Sequence, residues 1–177
     1  MSPIVEGMIA EISYAQSVRR EDVEHLRAYF GGDGVVDPGV AAALIGLDRS
    51  SLWTHPTWRT FLADAVADYI VVHAAPEGYV SAANASWLSQ CLAPGGRMQT
   101  RTMFEVLMRV FETARWTPVS LARLALSQVY AAVAEGTGPL ASGRTVPPGQ
   151  IAPEEVETIR RIPNPLPIAR NSWPVSS

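Results

Sequence analysis

The stretch TWRTFLADAVADYIVVHAA, residues 57–75, decides the fold. Its apolar residues recur three and four positions apart, which places them along one side of a long helix. They are Trp58, Phe61, Leu62, Ala65, Val66, Tyr69 and Ile70. We therefore predict that this segment is the central core helix of the chain.

Further helix signals lie on both sides of this segment. Ser2-Pro3 and Asp37-Pro38 each combine a capping side chain with a proline that suits the first turn of a helix. Ser81 and Thr100 can cap two more helices, and Thr117-Pro118 can open another. No segment gives a convincing strand pattern. The sequence predicts an all-α fold of seven or eight helices arranged as consecutive helix-loop-helix units.

Composition indicates one folded unit followed by a tail. Apolar residues make up 47% of the chain and charged residues 18%, a balance that supports a full hydrophobic core. Pro163, Pro165, Pro167 and Pro174 interrupt regular structure at the C-terminal end. We predict a single helical domain over residues 1–162 and a proline-rich flexible tail over residues 163–177.

The residue inventory argues against several kinds of enzyme. All 14 basic residues are arginine, so the chain lacks the lysine amine of Schiff-base enzymes and phosphate-binding loops. Cys91 is the single cysteine and cannot supply the thiolate set of a zinc or iron-sulfur site. It lies on a predicted helix between Leu88 and Leu92, without neighbouring basic or histidine residues. We therefore expect its thiol to be buried and inert. We expect a protein that is not an enzyme and carries no cofactor.

Charge and hydropathy also limit the partners. The formal net charge is -3, which gives no overall electrostatic attraction for nucleic acid. Asp64, Asp68, Arg123 and Glu135 interrupt the most hydrophobic segments, so none is long enough to span a membrane. The N-terminus has no signal-peptide pattern. We expect a cytoplasmic protein whose partner is another protein. We do not expect it to contact a membrane or to have nucleic acid as its partner.

A glycine pattern precedes four of the predicted helices. A glycine is followed two residues later by an aliphatic residue and then by a helix start. The four cases are Gly34/Val36/Asp37, Gly78/Val80/Ser81, Gly96/Met98/Gln99 and Gly149/Ile151/Ala152. The glycine can adopt the positive φ of a tight turn, and we expect the aliphatic residue to return to the core. Any helix that begins after a tight turn can show the same pattern.

This arrangement resembles the second half of an EF-hand loop. In the Gly34 unit, however, Asp33 and Asp37 are the only acidic residues at ligand positions, and Tyr29, Gly31 and Val40 occupy others. The segment from Asp68 to Leu92 also resembles tellurite-resistance (TerB-type) helical domains of bacteria. The resemblance implies a degenerate EF-hand-like architecture without tight calcium binding, of a kind that commonly binds partner helices.

Two pairs of aspartates are the candidate metal ligands. Asp64 and Asp68 lie one helical turn apart and can present two carboxylates on one face. Asp33 and Asp37 are the second pair. On the central helix such residues more commonly lie on a solvent-exposed face. A weak response to divalent cations is therefore only an alternative.

Arginines and tryptophans are the candidate partner-binding residues. Arg97, Arg101 and Arg109 give the middle of the chain a local excess of positive charge, although Arg101, Glu105 and Arg109 are also spaced as an i,i+4 ladder on an exposed helix. Trp53 and Trp58 flank His55 in an aromatic cluster that can line a pocket.

The sequence thus favours a non-catalytic protein-protein interaction or scaffold module. Its alternatives are a weak divalent-cation-responsive regulatory domain and a nucleic-acid binder that uses the arginine-rich helix face.

Overall fold

The computed structural model describes residues 1–163 and confirms the all-α fold. Eight α-helices lie within these residues. They are α1 (Pro3–Ala15), α2 (Arg20–Phe30), α3 (Pro38–Ser50), α4 (Thr57–Asp68), α5 (Ala82–Leu92), α6 (Arg101–Thr113), α7 (Val119–Tyr130) and α8 (Pro153–Arg161). The proline-rich tail predicted over residues 163–177 lies outside the described residues except for Pro163.

The central segment forms the core helix that its apolar spacing predicts. Trp58, Leu62 and Val66 of α4 are fully buried, and α4 packs mainly against α6. The regular α-helix ends at Asp68, and the chain continues as a π-helical turn, Tyr69–His73. Buried apolar side chains from Val5 to Ile162 join in one continuous core.

Two short parallel strands correct the expectation that the chain has no strand. They are β1 (Ser17–Val18) and β2 (Trp53–Thr54), paired with Ser17 opposite Trp53. The Leu52 amide donates to the Gln16 carbonyl at 2.8 Å, and the His55 amide to that of Val18, also at 2.8 Å. A strand of two residues has no measurable alternation, so periodicity could not detect it. The pair ties the α1-α2 turn to the α3-α4 turn.

The chain contains an internal structural repeat with a period of 62 or 63 residues. The helices α2 and α5 both have 11 residues and begin 62 positions apart. The helices α3 and α6 have 13 residues each and begin 63 positions apart. The helices α4 and α7 have 12 each and begin 62 apart. Each of the last two helices continues into a five-residue π-helical turn, Tyr69–His73 and Ala131–Glu135.

The loops and buried positions follow the same repeat. The pairing of Ser17 with Trp53 has its counterpart in an isolated parallel bridge between Tyr79 and Trp116. In α3 and α6 the equivalent core positions are buried in both copies. These pairs include Val40 with Met103, Leu44 with Leu107, and Leu47 with Val110. The described chain therefore contains two similar halves, β1–α4 and Tyr79–α7, preceded by α1 and followed by α8.

The four glycine turns precede helices as predicted. Gly34, Gly78, Gly96 and Gly149 all have a positive φ, and α3, α5, α6 and α8 follow them. The expected return to the core holds at only two of the aliphatic positions. Val80 and Met98 are buried, whereas Val36 and Ile151 are exposed. In the first unit the preceding residue, Val35, is buried instead, so the register of the turn differs by one position.

None of the helices within residues 1–163 combines the length and the hydropathy that crossing a membrane requires.

Candidate functional site

Trp53 lies at the centre of an exposed apolar surface on the first loop pair. Its side chain is 53% exposed, and Leu52, its neighbour in the chain, is 85% exposed. Tyr14, which is 93% exposed, lies two residues before Gln16, whose carbonyl accepts from the Leu52 amide. The β1-β2 pairing fixes the backbone that carries Trp53, and the Trp53 and His55 rings meet edge to face with their centroids 6.1 Å apart. We call Tyr14, Leu52 and Trp53 the first tryptophan surface.

Trp116 occupies the equivalent position in the second half. It lies 63 residues after Trp53, in the second partner of the other parallel bridge, and is 55% exposed. The amide of Val80 donates to its carbonyl at 3.1 Å. Tyr79 across the bridge and Val119 at the start of α7 are exposed as well. We call Tyr79, Trp116 and Val119 the second tryptophan surface.

The agreement between these two positions is informative because the repeat has diverged elsewhere. The helices α3 and α6 share a single identical residue at equivalent positions, Leu44 and Leu107. Only 5 of the 177 residues are tryptophan, so a chance match at one given pair of positions is improbable. Each tryptophan leaves about half of a large aromatic surface in contact with solvent, and aromatic anchors of this kind are typical of interfaces. The two tryptophans therefore form the best candidate binding site.

Trp58 does not take part in this surface, contrary to the prediction. It is fully buried, and its Nε1 donates to Oδ1 of Asp48 at 2.9 Å. The hydroxyl of Thr100, the N-cap of α6, donates to the other carboxylate oxygen. Burial raises the pKa of the Asp48 carboxyl above its ordinary value, because it outweighs the hydrogen bonds that favour the charged form. Trp58 is a structural residue that links α3, α4 and α6.

The predicted arginine ladder is also not formed. Arg109 pairs with Asp64 of α4 and, through Nε at 3.4 Å, with Glu112 rather than with Glu105. Arg101 donates to the carbonyl of Ser142 at 2.6 Å. Arg97 is exposed in the turn before α6. The three arginines therefore serve three different environments and do not form one basic surface.

The candidate aspartates are held apart by other contacts. Asp37 caps α3 by accepting from the amides of Gly39 at 2.6 Å and Val40 at 3.1 Å, which lowers the pKa of its carboxyl. Asp64 pairs with Arg109, and Asp68 lies 3.2 Å from His73 Nε2. Asp33 belongs to a short 3₁₀ turn, Gly31–Asp33. Residues 1–163 contain no group of three or more acidic, histidine or cysteine side chains placed to hold a metal ion.

A cleft of about 530 Å³ opens beside two of these aspartates. It lies between the end of α2, the exposed side of α4 and the end of α6, and glycine backbone forms one wall. We call it the glycine cleft. The residues that matter to its chemistry are Arg27, Phe30, Gly32, Phe61, Asp68 and Arg109.

A second cleft, of about 410 Å³, lies where α8 meets α6 and the loop that follows α7. Its most ordered feature is the ion pair of Arg144 and Glu155, with Nε 2.5 Å from Oε1. The hydrogen bond from Arg144 lowers the pKa of Glu155. Arg144 also donates to the carbonyls of Ala132 and Gln150. Because all its nitrogens are engaged, this arginine fixes the loop against α8.

Cys91 is half-buried rather than buried, and it has a basic neighbour that was not expected. Burial raises the pKa of its thiol, which lowers the fraction of nucleophilic thiolate. The guanidinium of Arg49 from α3 donates to the Cys91 carbonyl at 2.5 Å. The sequence spacing gave no sign of this contact, because the two residues lie on different helices.

Three features were not predicted from the sequence: Trp116, Asp48 and the Arg144–Glu155 pair. The dipeptide Trp-Thr, present at 53–54 and again at 116–117, was the available signal for Trp116. Nothing in the local pattern marks Asp48, since its partners come from positions 58 and 100. Long-range pairing of this kind depends on the packing of the helices.

Comparison with known proteins adds no assignment. No protein-family model, no curated protein and no solved structure matches this chain. The function of the chain must therefore be inferred from its own contacts.

Proposed function

We propose that this chain is a non-catalytic interaction module that binds a protein partner through its two tryptophan surfaces. The observation that supports the proposal most is the exposure of Trp53 and Trp116 at equivalent positions of the two halves. Each tryptophan projects from a loop that a parallel pairing holds in place. Rigid, partly exposed aromatic anchors lose little conformational entropy when they bind.

The chemistry of both surfaces favours apolar side chains on the partner. The first offers a tryptophan, a tyrosine and a leucine, and the second a tryptophan, a tyrosine and a valine. Charged groups play little part, apart from the exposed Arg115 next to Trp116. We therefore propose a partner that presents the same apolar motif twice, and a cytoplasmic location for the complex.

Photo-crosslinking tests this proposal directly. A photoreactive residue replaces Leu52 in one variant and Val119 in another, and crosslinking is done in the organism that encodes the protein. Both probes are expected to capture the same protein, and Trp53→Ser with Trp116→Ser is expected to remove it. Tyr130→Ser is the matched control, since Tyr130 is 64% exposed and belongs to neither surface. Two unrelated sets of captured proteins, unaffected by the tryptophan substitutions, would contradict the proposal.

Neither alternative has a specific observation in its favour. For the divalent-cation hypothesis, Asp37 and Asp64 already make protein contacts, and residues 1–163 hold no group of three or more acidic, histidine or cysteine side chains placed for a metal ion. For the nucleic-acid hypothesis, Arg101 already forms a hydrogen bond and Arg109 an ion pair within the chain. We therefore keep the interaction module as the proposed function.

A further inference from the structure

The glycine cleft has the shape and the volume of a ligand site that the tryptophan surfaces do not use. About 530 Å³ falls within the range of small-molecule sites. Phe30 and Phe61 stack beside it, with their ring centroids 6.5 Å apart, and supply an apolar wall. Val35, Ala65 and Ala67 extend that wall. A ligand with apolar side chains therefore gains from entering it.

The opposite wall is backbone without side chains. A Cβ atom on Gly31 or Gly32 would meet no heavy atom within 4 Å, so open space lies in front of both. At Gly34 a Cβ would instead collide with the carboxylate of Asp68, which packs directly on this turn. Exposed peptide groups of this kind can hydrogen-bond to the main chain of a peptide.

The charges along the cleft are balanced and separated. Arg27 lies over the Phe61 ring, with its guanidinium carbon 5.8 Å from the centroid, and forms no ion pair within residues 1–163. Asp68 stands two helical turns farther along α4 than Phe61, which is roughly 10 Å at 1.5 Å per residue. Between them Asp64 is paired with Arg109, whose Nε is buried and donates no hydrogen bond despite its 3.4 Å approach to Glu112. A ligand with a negative group at one end and a positive group at the other matches this order.

We propose that the glycine cleft binds a short zwitterionic peptide, of dipeptide size, with apolar side chains. The carboxylate of the peptide pairs with Arg27, and its ammonium group is held by Asp68. The apolar side chains pack against Phe30 and Phe61. A dipeptide spans about two residues of extended chain, roughly 7 Å, which is of the same order as the roughly 10 Å rise along α4 from Phe61 to Asp68.

Isothermal titration calorimetry with the dipeptide Leu-Phe tests the proposal on the full chain. Its N-acetyl form lacks the ammonium group, and its C-terminal amide lacks the carboxylate. Each modified peptide is expected to bind at least about tenfold more weakly, the effect of losing one charged hydrogen bond. Equal binding of all three peptides, or no heat from Leu-Phe at its solubility limit, would overturn the proposal.

Substitutions in the chain assign each contact. Arg27→Gln is expected to abolish the difference between Leu-Phe and its amide, and Asp68→Asn the difference between Leu-Phe and its N-acetyl form. Gly32→Trp is expected to fill the cleft and remove binding, because its backbone is unstrained and open space lies in front of it. Gly7→Trp is the matched control, since Gly7 is equally open but lies on α1, outside the cleft. Because Arg27 is exposed, its variant keeps the test valid if Gly32→Trp fails to fold. Retained binding in Gly32→Trp would contradict the site.

Discussion

The two halves of the chain build the same architecture with different chemistry in the core. The helix α3 of the first half and α6 of the second have equal length and bury equivalent positions. At one such position the first half has Asp48, and the second half, 63 residues later, has Phe111. Asp48 is 3% exposed and bonded to Trp58 and Thr100, whereas Phe111 is an ordinary apolar core residue. A buried helix position thus tolerates either a phenyl ring or a carboxylate that accepts hydrogen bonds from neighbouring side chains.

The loops show the opposite behaviour. Their pairing and their exposed tryptophans agree between the halves, although the core has diverged. Stability constrains the volume and the hydrogen bonding of a core position more than its residue type. A binding function constrains the residue type itself, which is why we place the function at the loops.

The largest effect is expected from Phe111→Ala. Removal of the ring from the core of the second half should lower the free energy of unfolding by about 3 kcal/mol. Chemical denaturation measures this loss directly. A change below about 1 kcal/mol would mean that Phe111 is not part of a close-packed core.

A somewhat smaller loss is expected from Asp48→Ala. This substitution leaves the Trp58 Nε1 donor buried without an acceptor, at a cost of about 2 kcal/mol. Asp48→Asn keeps one acceptor oxygen and should lose less. If the alanine and asparagine variants are equally stable, the hydrogen bond from Trp58 does not stabilise the fold.

The carboxylate at position 48 should also make the stability of the chain depend on pH. Burial raises the pKa of Asp48 above the ordinary value of 3.8, so the folded chain holds this proton more tightly than the unfolded chain. The stability that protonated Asp48 contributes is fully present below the pKa of this carboxyl in the unfolded chain. It decreases as the pH rises through the pKa of the same carboxyl in the folded chain. The wild type should therefore lose stability relative to Asp48→Asn as the pH rises above 3.8. Denaturation curves at a series of pH values compare the two, and a constant difference would exclude a raised pKa.

The smallest effect on stability is expected at the tryptophan surfaces. Trp53→Ser and Trp116→Ser remove side chains that are about half exposed, so each should lower the free energy of unfolding by about 1 kcal/mol. Thermal unfolding followed by circular dichroism checks this. A loss as large as that of Asp48→Ala would show that the tryptophans stabilise the fold.

Much of the fold could be predicted from the sequence because its signals are local. Ser2, Asp37, Ser81 and Thr100 cap helices as expected. The spacings between successive glycine turns, 44, 18 and 53 residues, do not show the repeat. Two turns that are not neighbours do carry its period, since Gly34 and Gly96 lie 62 residues apart and precede the equivalent helices α3 and α6. The helix lengths and the loop pairing that complete this evidence appear only in the folded chain.

The candidate site could be predicted only in part. Trp53 was identified from its aromatic neighbours, whereas the same argument selected Trp58, which is buried. Local spacing cannot distinguish the two, since exposure depends on which face of α4 meets α3 and α6. The arginine ladder failed for a related reason: Asp64 on another helix binds Arg109 in place of Glu105.

The most direct test of the two-surface account is a native mass spectrum of the chain with the partner that crosslinking identifies. If each surface binds one copy of the partner's motif, a fragment with a single motif should bind twice to the wild type. It should bind once to Trp53→Ser and once to Trp116→Ser, and not at all to the double variant. Binding of one fragment to the wild type, unchanged in either single variant, would contradict the central claim that the two tryptophan surfaces are equivalent binding sites.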